Sequence, residues 1–113
     1  MPKKRIEQKL AEAAMLFAAL GDPTRLALLR RLSQDGPSSI STLAESFEMT
    51  RQGVTKHLHV LEVAGLVDGR HKGRESVWAM NTVQLAEGRR CLDLIARGWD
   101  DALSRLKAHI EDV

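Results

Sequence analysis

Along the first twenty positions, apolar residues fall at Ile6, Leu10, Ala13, Phe17 and Leu20, in alternating steps of four and three. That spacing puts them on one side of a helix, which Gly21 ends. Asp22-Pro23 starts a second helix, with Asp as N-cap and Pro at the first helical position. Leu26, Leu29 and Leu32 form its predicted buried side, Arg30 and Arg31 lie away from it, and Gly36-Pro37 stops it. A short third helix follows, capped by Ser41 or Thr42, with Thr42 and Glu45 spaced as a capping box and Leu43, Ala44 and Phe47 inward. After the break Glu48-Met49-Thr50, a fourth helix runs from about Arg51 to Ala64, with Thr50 as N-cap and Gly65 as its left-handed terminator.

Beyond Gly65 the apolar period changes from helical to two. Leu66 to His71 and Arg74 to Met80 read as strands of a hairpin turning at Lys72-Gly73. From Thr82 onward a long helix, or a short one running into a long one, carries Leu92, Ala96, Trp99, Leu103, Leu106, Ile110 and Val113. These form an a/d seam of the kind that packs against another helix. Two short helices joined by a tight turn and followed by a hairpin predict a mostly α fold with a small β-hairpin wing (α+β), a winged helix-turn-helix. We expect one DNA-binding domain over residues 1–113. Its helix-turn-helix spans about 40–65, its wing about 66–80, and its dimerisation helices about 5–20 and 83–111.

Composition narrows this picture. A chain of 113 residues, 43% hydrophobic and 28% charged, is a folded domain rather than a disordered tail. With only 4% aromatic residues, the core must come from Leu, Ala, Val and Ile. The net charge of +2 says little by itself, so the placement of the charges has to carry any nucleic-acid argument. The single cysteine, Cys91, excludes an internal disulfide and a Cys-rich zinc site. No apolar run approaches the ~18 residues of a membrane span. No apolar stretch follows the Met-Pro-Lys-Lys-Arg start, so the expected location is the cytoplasm, with no membrane partner.

Turned at about 100° per residue, the fourth helix puts Val54, Leu58 and Leu61 on one face and Gln52, Thr55, Lys56 and His59 on the other, with Arg51 at its exposed start. The polar set holds donors that reach base edges and hydroxyls that reach phosphates, and it meets no acid before Glu62. An ordinary solvated face mixes charge signs, so this face predicts contact with double-stranded DNA. His57 projects nearer the apolar side and is open to two readings, a structural histidine or a phosphate contact. The hairpin carries Arg70, His71, Lys72 and Arg74 around its tip. Beside a recognition helix such a tip supplies phosphate affinity; alone, it would equally be an edge guarded against strand pairing. The candidate DNA contacts are therefore Arg51, Gln52, Thr55, Lys56, His57, His59, Arg70, Lys72 and Arg74. The apolar stripes at both ends are surplus to the helix-turn-helix core. Ile6, Leu10, Phe17, Leu92, Trp99, Leu103, Leu106 and Ile110 are the candidate interface of a homodimer.

The string Leu20-Gly21-Asp22-Pro23-Thr24-Arg25-Leu26 resembles the start of the second helix in ArsR/SmtB-type winged-helix repressors. Residues Val54 to Val67, reading VTKHLHVLEVAGLV, are similar to that family's recognition helix and its entry to the wing. The resemblance covers about residues 14–110. It implies a dimer built on helices from both termini, an inverted-repeat operator, and repression relieved by a signal. Metal-sensing members carry a Cys-x-Cys motif in the third helix or paired ligands along the last. Here the third helix offers Ser41-Thr42-Leu43-Ala44-Glu45, without ligands. Of the possible ligands on the last helix, Cys91, Asp93, His109, Glu111 and Asp112, Cys91 and Asp93 lie about four turns from His109, too far for one chain to close a site, although two subunits could share one. The tail, with Trp99 and Leu103-Ser104-Arg105-Leu106, resembles the non-metal branch. No cofactor, metal or catalytic residue is expected, and the effector is left open.

Rival readings are a metal- or redox-responsive sensor, with Cys91 as the thiol, and a winged-helix protein-interaction module. The latter would need apolar anchors at residues 51, 52, 55, 56 and 59, where there are none. An enzyme is not expected, because no phosphate loop or nucleophile motif is present. Activation and repression are not distinguished by the sequence.

Overall fold

The computed structural model describes residues 2–112, with side chains from Arg5 onward; Val113, the last residue of the predicted seam, lies outside the described residues. Five helices, α1 (Pro2–Leu20), α2 (Pro23–Asp35), α3 (Ile40–Ser46), α4 (Arg51–Val63) and α5 (Thr82–Glu111), accompany three strands, β1 (Ser38–Ser39), β2 (Val67–Lys72) and β3 (Glu75–Met80). The strands form one antiparallel sheet in the order β1-β3-β2. The predicted winged helix-turn-helix is therefore the observed fold, with the last segment a single unbroken helix.

Local chemistry sets most boundaries. Asp22 caps α2 by accepting the Arg25 backbone N–H, and Pro23 follows at the first helical position. Thr50 caps α4, its Oγ1 accepting the Gly53 N–H at 3.0 Å. Gly65 then takes φ +78°, where a Cβ would also lie 2.6 Å from Gln84 Cγ, so the turn from α4 into the wing needs glycine on both counts.

Several details differ from expectation. Helix α3 is capped by Ser39, not Ser41 or Thr42: the Ser39 hydroxyl accepts the Thr42 N–H at 3.1 Å, so the Thr42–Glu45 capping box does not form. The wing strands begin one residue later than predicted, and the turn is Gly73-Arg74, with Lys72 paired to Glu75. A third strand, β1, adds to the predicted hairpin; Ser38 and Ser39 pair with Trp78 and Val77. In α2 the buried residues are Leu28, Leu29 and Leu32, while Leu26 is 52% exposed. Nor does Arg31 point away from everything: half-buried, it pairs with Asp35 and donates to the Ser46 hydroxyl of α3.

The core joins Leu16 and Ala19 of α1, the three α2 leucines, Leu43 and Ala44 of α3, Val54, Leu58 and Leu61 of α4, and Leu66, Val67 and Trp78 of the wing. Leu16 and Ala19 lie beside the predicted stripe of α1, whose Phe17 and Leu20 are only half-buried and whose Ile6 and Leu10 are exposed. Helix α5 reaches this core over its first two turns only. There Gly88 is buried against α1, and a Cβ on it would stand 3.0 Å from Leu16 Cδ2.

Past Gly88 the helix leaves the core but still runs beside α1, with Cys91 and Leu94 across a groove from Ile6 and Leu10, before its remaining length projects. The molecule measures 69 × 34 × 20 Å, and its radius of gyration is 18.9 Å, against about 13 Å for a compact chain of this length. Leu92, Trp99, Leu103, Leu106 and Ile110 are all exposed, Trp99 to 66%. Leu94 and Ile95 are exposed too, which makes the apolar face wider than the two-helix seam read from the sequence.

Candidate nucleic-acid interface

Helix α4 lies with Val54, Leu58 and Leu61 fully buried, which fixes what its other sides present. Arg51, Gln52 and Lys56 are exposed and Thr55 is half-buried. Together with Ile40 at the start of α3, they line one open hollow of about 410 Å³. The Thr55 hydroxyl donates to the Arg51 carbonyl at 2.7 Å, which leaves its oxygen lone pairs facing outward as acceptors. No acidic residue occupies the first turn of α4. The combination of a helix N-terminus, two cations and an amide suits a polyanion whose base edges carry both acceptors and donors.

The two histidines of α4 are separated from this group. His59 is exposed, sits 3.3 Å from Glu62 Oε1 and meets the Trp78 ring edge-on at a centroid distance of 5.8 Å. It borders the wing at Trp78, with the Glu62 carboxylate beside it. His57 turns the other way, its Nδ1 standing 3.9 Å from Asp22 Oδ2. Asp22 is held below the ordinary carboxylate range by the Arg25 N–H; the charges of Arg25 and His57 add to this and partial desolvation opposes it.

In the wing, Arg70, His71, Lys72 and Arg74 are all exposed. Arg70 and Lys72 share one face of β2 by the period-two rule, His71 takes the other, and Arg74 occupies the turn. Trp78, on the central strand, is buried between Gly69 and α4, and anchors the wing base. Thus Arg51, Gln52, Thr55 and Lys56 come together, the wing cations lie apart from them on the hairpin, and His59 stands against Trp78 and the end of α1. No local pattern in the sequence marks Ile40 as the floor of the hollow. Its place depends on β1 and the Ser39 cap, which set where α3 begins.

The terminal helices build a different surface. Ile6, Leu10, Ala13, Leu16 and Leu94 line a groove of about 340 Å³ between α1 and α5, in which Cys91 is half-buried. Phe17 and Leu92 line the opposite side of the same helix pair. Among the described residues, no three His, Cys, Asp or Glu side chains gather closely enough to hold a metal ion, and no helix is long and apolar enough to cross a membrane.

A helix-turn-helix domain family matches residues 20–70. Over 88 residues the chain is 38% identical to the HTH-type transcriptional regulator Rv2034 of Mycobacterium tuberculosis, covering 78% of each. It is 30% identical over 94 residues to the HTH-type transcriptional repressor SmtB of the same organism, covering 83% of this chain and 67% of the relative. Among solved structures, an ArsR-like transcriptional regulator from Rhodococcus sp. RHA1 superposes with a TM-score of 0.76 at 37% identity, covering 87% of this chain and 92% of that one.

Proposed function

This chain belongs to the ArsR/SmtB family of winged helix-turn-helix transcriptional regulators, and from that premise we propose that it is a homodimeric repressor of an inverted-repeat operator. One observation carries the reading: Arg51, Gln52, Thr55 and Lys56 converge on an exposed face of α4 that has no acid in its first turn. In this reading Arg51 and Gln52 read base edges in the major groove, Thr55, Lys56 and His59 support them, and Arg70, Lys72 and Arg74 hold phosphates. His57 belongs to neither set.

The whole chain acts as one domain. Its α1 and the projecting part of α5 pack across a two-fold axis through Ile6, Leu10, Phe17, Leu92, Trp99, Leu103, Leu106 and Ile110. The exposed apolar length of α5 supports this, because soluble monomers rarely leave so large a patch in water. A dimer of this kind sets its two α4 helices into successive major grooves about 34 Å apart. The protein works in the cytoplasm without catalysing a reaction, and its release from DNA uses no transition metal.

The test is a mobility-shift titration with the DNA upstream of the protein's own gene, before and after chelator treatment. A specific, chelator-insensitive shift is expected, with two protomers per site. Absence of any sequence preference would end the proposal, and release by stoichiometric metal would place a metal site between the subunits.

A further inference from the structure

Residues Asp22 to Arg25 join three helices at one point. Asp22 Oδ2 accepts the Arg25 N–H at 3.0 Å and thereby caps α2. The Arg25 Nε donates to the Ala19 carbonyl in the last turn of α1 at 2.7 Å. From the other side, His57 of α4 brings its Nδ1 to 3.9 Å from the same Asp22 oxygen. That separation is a charge contact rather than a hydrogen bond. His57 lies about 100–160° around the helix from Gln52, Thr55 and Lys56, and its side chain is only 24% exposed. A ring so placed cannot share the groove that those residues face.

We propose that His57 is a positioning residue which, through Asp22 and Arg25, ties the recognition helix to the end of α1. The inference rests on the DNA-binding reading above and adds to it a route by which the pose of a terminal helix reaches the DNA-reading face. Helix α1 carries Ile6, Leu10 and Phe17, so its position follows the packing of the dimer. The Arg25–Ala19 hydrogen bond fixes the α1–α2 corner, and the Asp22–His57 contact fixes α4 against that corner. Loosening the pin lets α4 change its angle to the two-fold axis. Affinity for two correctly spaced half-sites then falls, while general phosphate affinity is unaffected.

The charged groups facing His57 from the α1–α2 corner are Asp22 and, behind it, Arg25, whose charge also acts on Asp22. Among the described residues no carboxylate of α3 or the wing comes within 4.0 Å of the ring. On its own helix, Lys56 lines the hollow beside Ile40, and His59 is engaged by Glu62.

The experiment is a double-mutant cycle with His57→Ala, Asp22→Asn and the pair, the asparagine keeping a side-chain acceptor for the α2 cap. It is run on operator affinity, on affinity for random DNA, and on unfolding of the DNA-free protein. Each single variant is expected to weaken operator binding about tenfold. Random-DNA binding and the salt slope should be unchanged, and the double variant should be no worse than the weaker single. A salt slope that drops in His57→Ala, with additive single effects, would mean that His57 touches a phosphate and would overturn the pin. Additivity in both operator binding and unfolding would overturn it as well. If wild type prefers no DNA sequence but the unfolding cycle remains non-additive, the pin stands and the operator reading fails. Should His57→Ala fold poorly, His57→Gln replaces it, with the same expected sign.

Discussion

Helices α4 and α5 are both amphipathic, yet they expose opposite halves. Helix α4 buries Val54, Leu58 and Leu61 and leaves Arg51, Gln52 and Lys56 in water. Past Gly88, α5 leaves Leu92, Trp99, Leu103, Leu106 and Ile110 exposed to water. A polar face costs little to leave solvated, so its meaning lies in what those groups recognise. An apolar face costs about 25 cal/mol for every Å² left exposed, so its meaning lies in what covers it. On the function proposed here, the same periodicity marks a reading surface in one helix and an assembly surface in the other, according to which half faces the body.

Leu103→Glu bears most heavily on that contrast. A charge forced into the seam costs several kcal/mol, so the dimer should weaken by about a thousandfold or more. It should sediment as a monomer at micromolar concentration, and operator binding should fall with it. A variant that stays dimeric would show that the α5 face is not the assembly surface. The reverse test is the Arg51/Gln52/Lys56 triple alanine variant. It should remain dimeric and melt as wild type does, yet lose operator affinity by about 1–3 kcal/mol for each base-reading side chain truncated. Unchanged operator affinity would end the assignment of α4 as the reading surface.

Replacing Arg70, Lys72 and Arg74 by alanine sharpens the division within the DNA-facing surface. Binding to all sequences should weaken alike, and the salt slope should fall by about 0.9 for each phosphate no longer neutralised. Thr50→Ala removes the cap of α4 alone and should lower stability by about 1 kcal/mol in a denaturant titration, without altering the dimer. Acid titration has the smallest expected effect. Asp22 is held below its ordinary value when folded, so its contribution is complete above the unfolded value and is lost as pH falls through the folded one. Asp22→Asn should therefore flatten the stability curve at its acid end, below about pH 4.

The α4 boundaries are legible in the sequence because Thr50 and Gly65 are strong, opposite punctuation and the period between them is clean. The wing is legible because a change from helical to two-residue period is hard to mistake. Elsewhere the sequence allows several answers. Leu26, Leu28, Leu29 and Leu32 satisfy two helical faces, and only packing beneath α1 and α4 selects Leu28 over Leu26. Between Ser38 and Thr42, every residue but Ile40 carries a hydroxyl that fits a cap, and Ser39 serves because it also stands where β1 ends. A two-residue strand has no period to detect. The helical period alone puts His57 nearer the apolar side of α4, but its partner there, Asp22, belongs to a different helix cap far earlier in the chain, beyond the reach of any local pattern.

That short strand has a consequence for how DNA is engaged. Ser39 pairs with Val77 of the wing and in the next step caps α3. The hairpin base and the helix-turn-helix are therefore welded into one rigid body, with no linker at which the wing can swing independently. Most of the conformational entropy of this head has already been surrendered during folding, so on the proposed function it would meet DNA as a preformed die rather than a hand that must close.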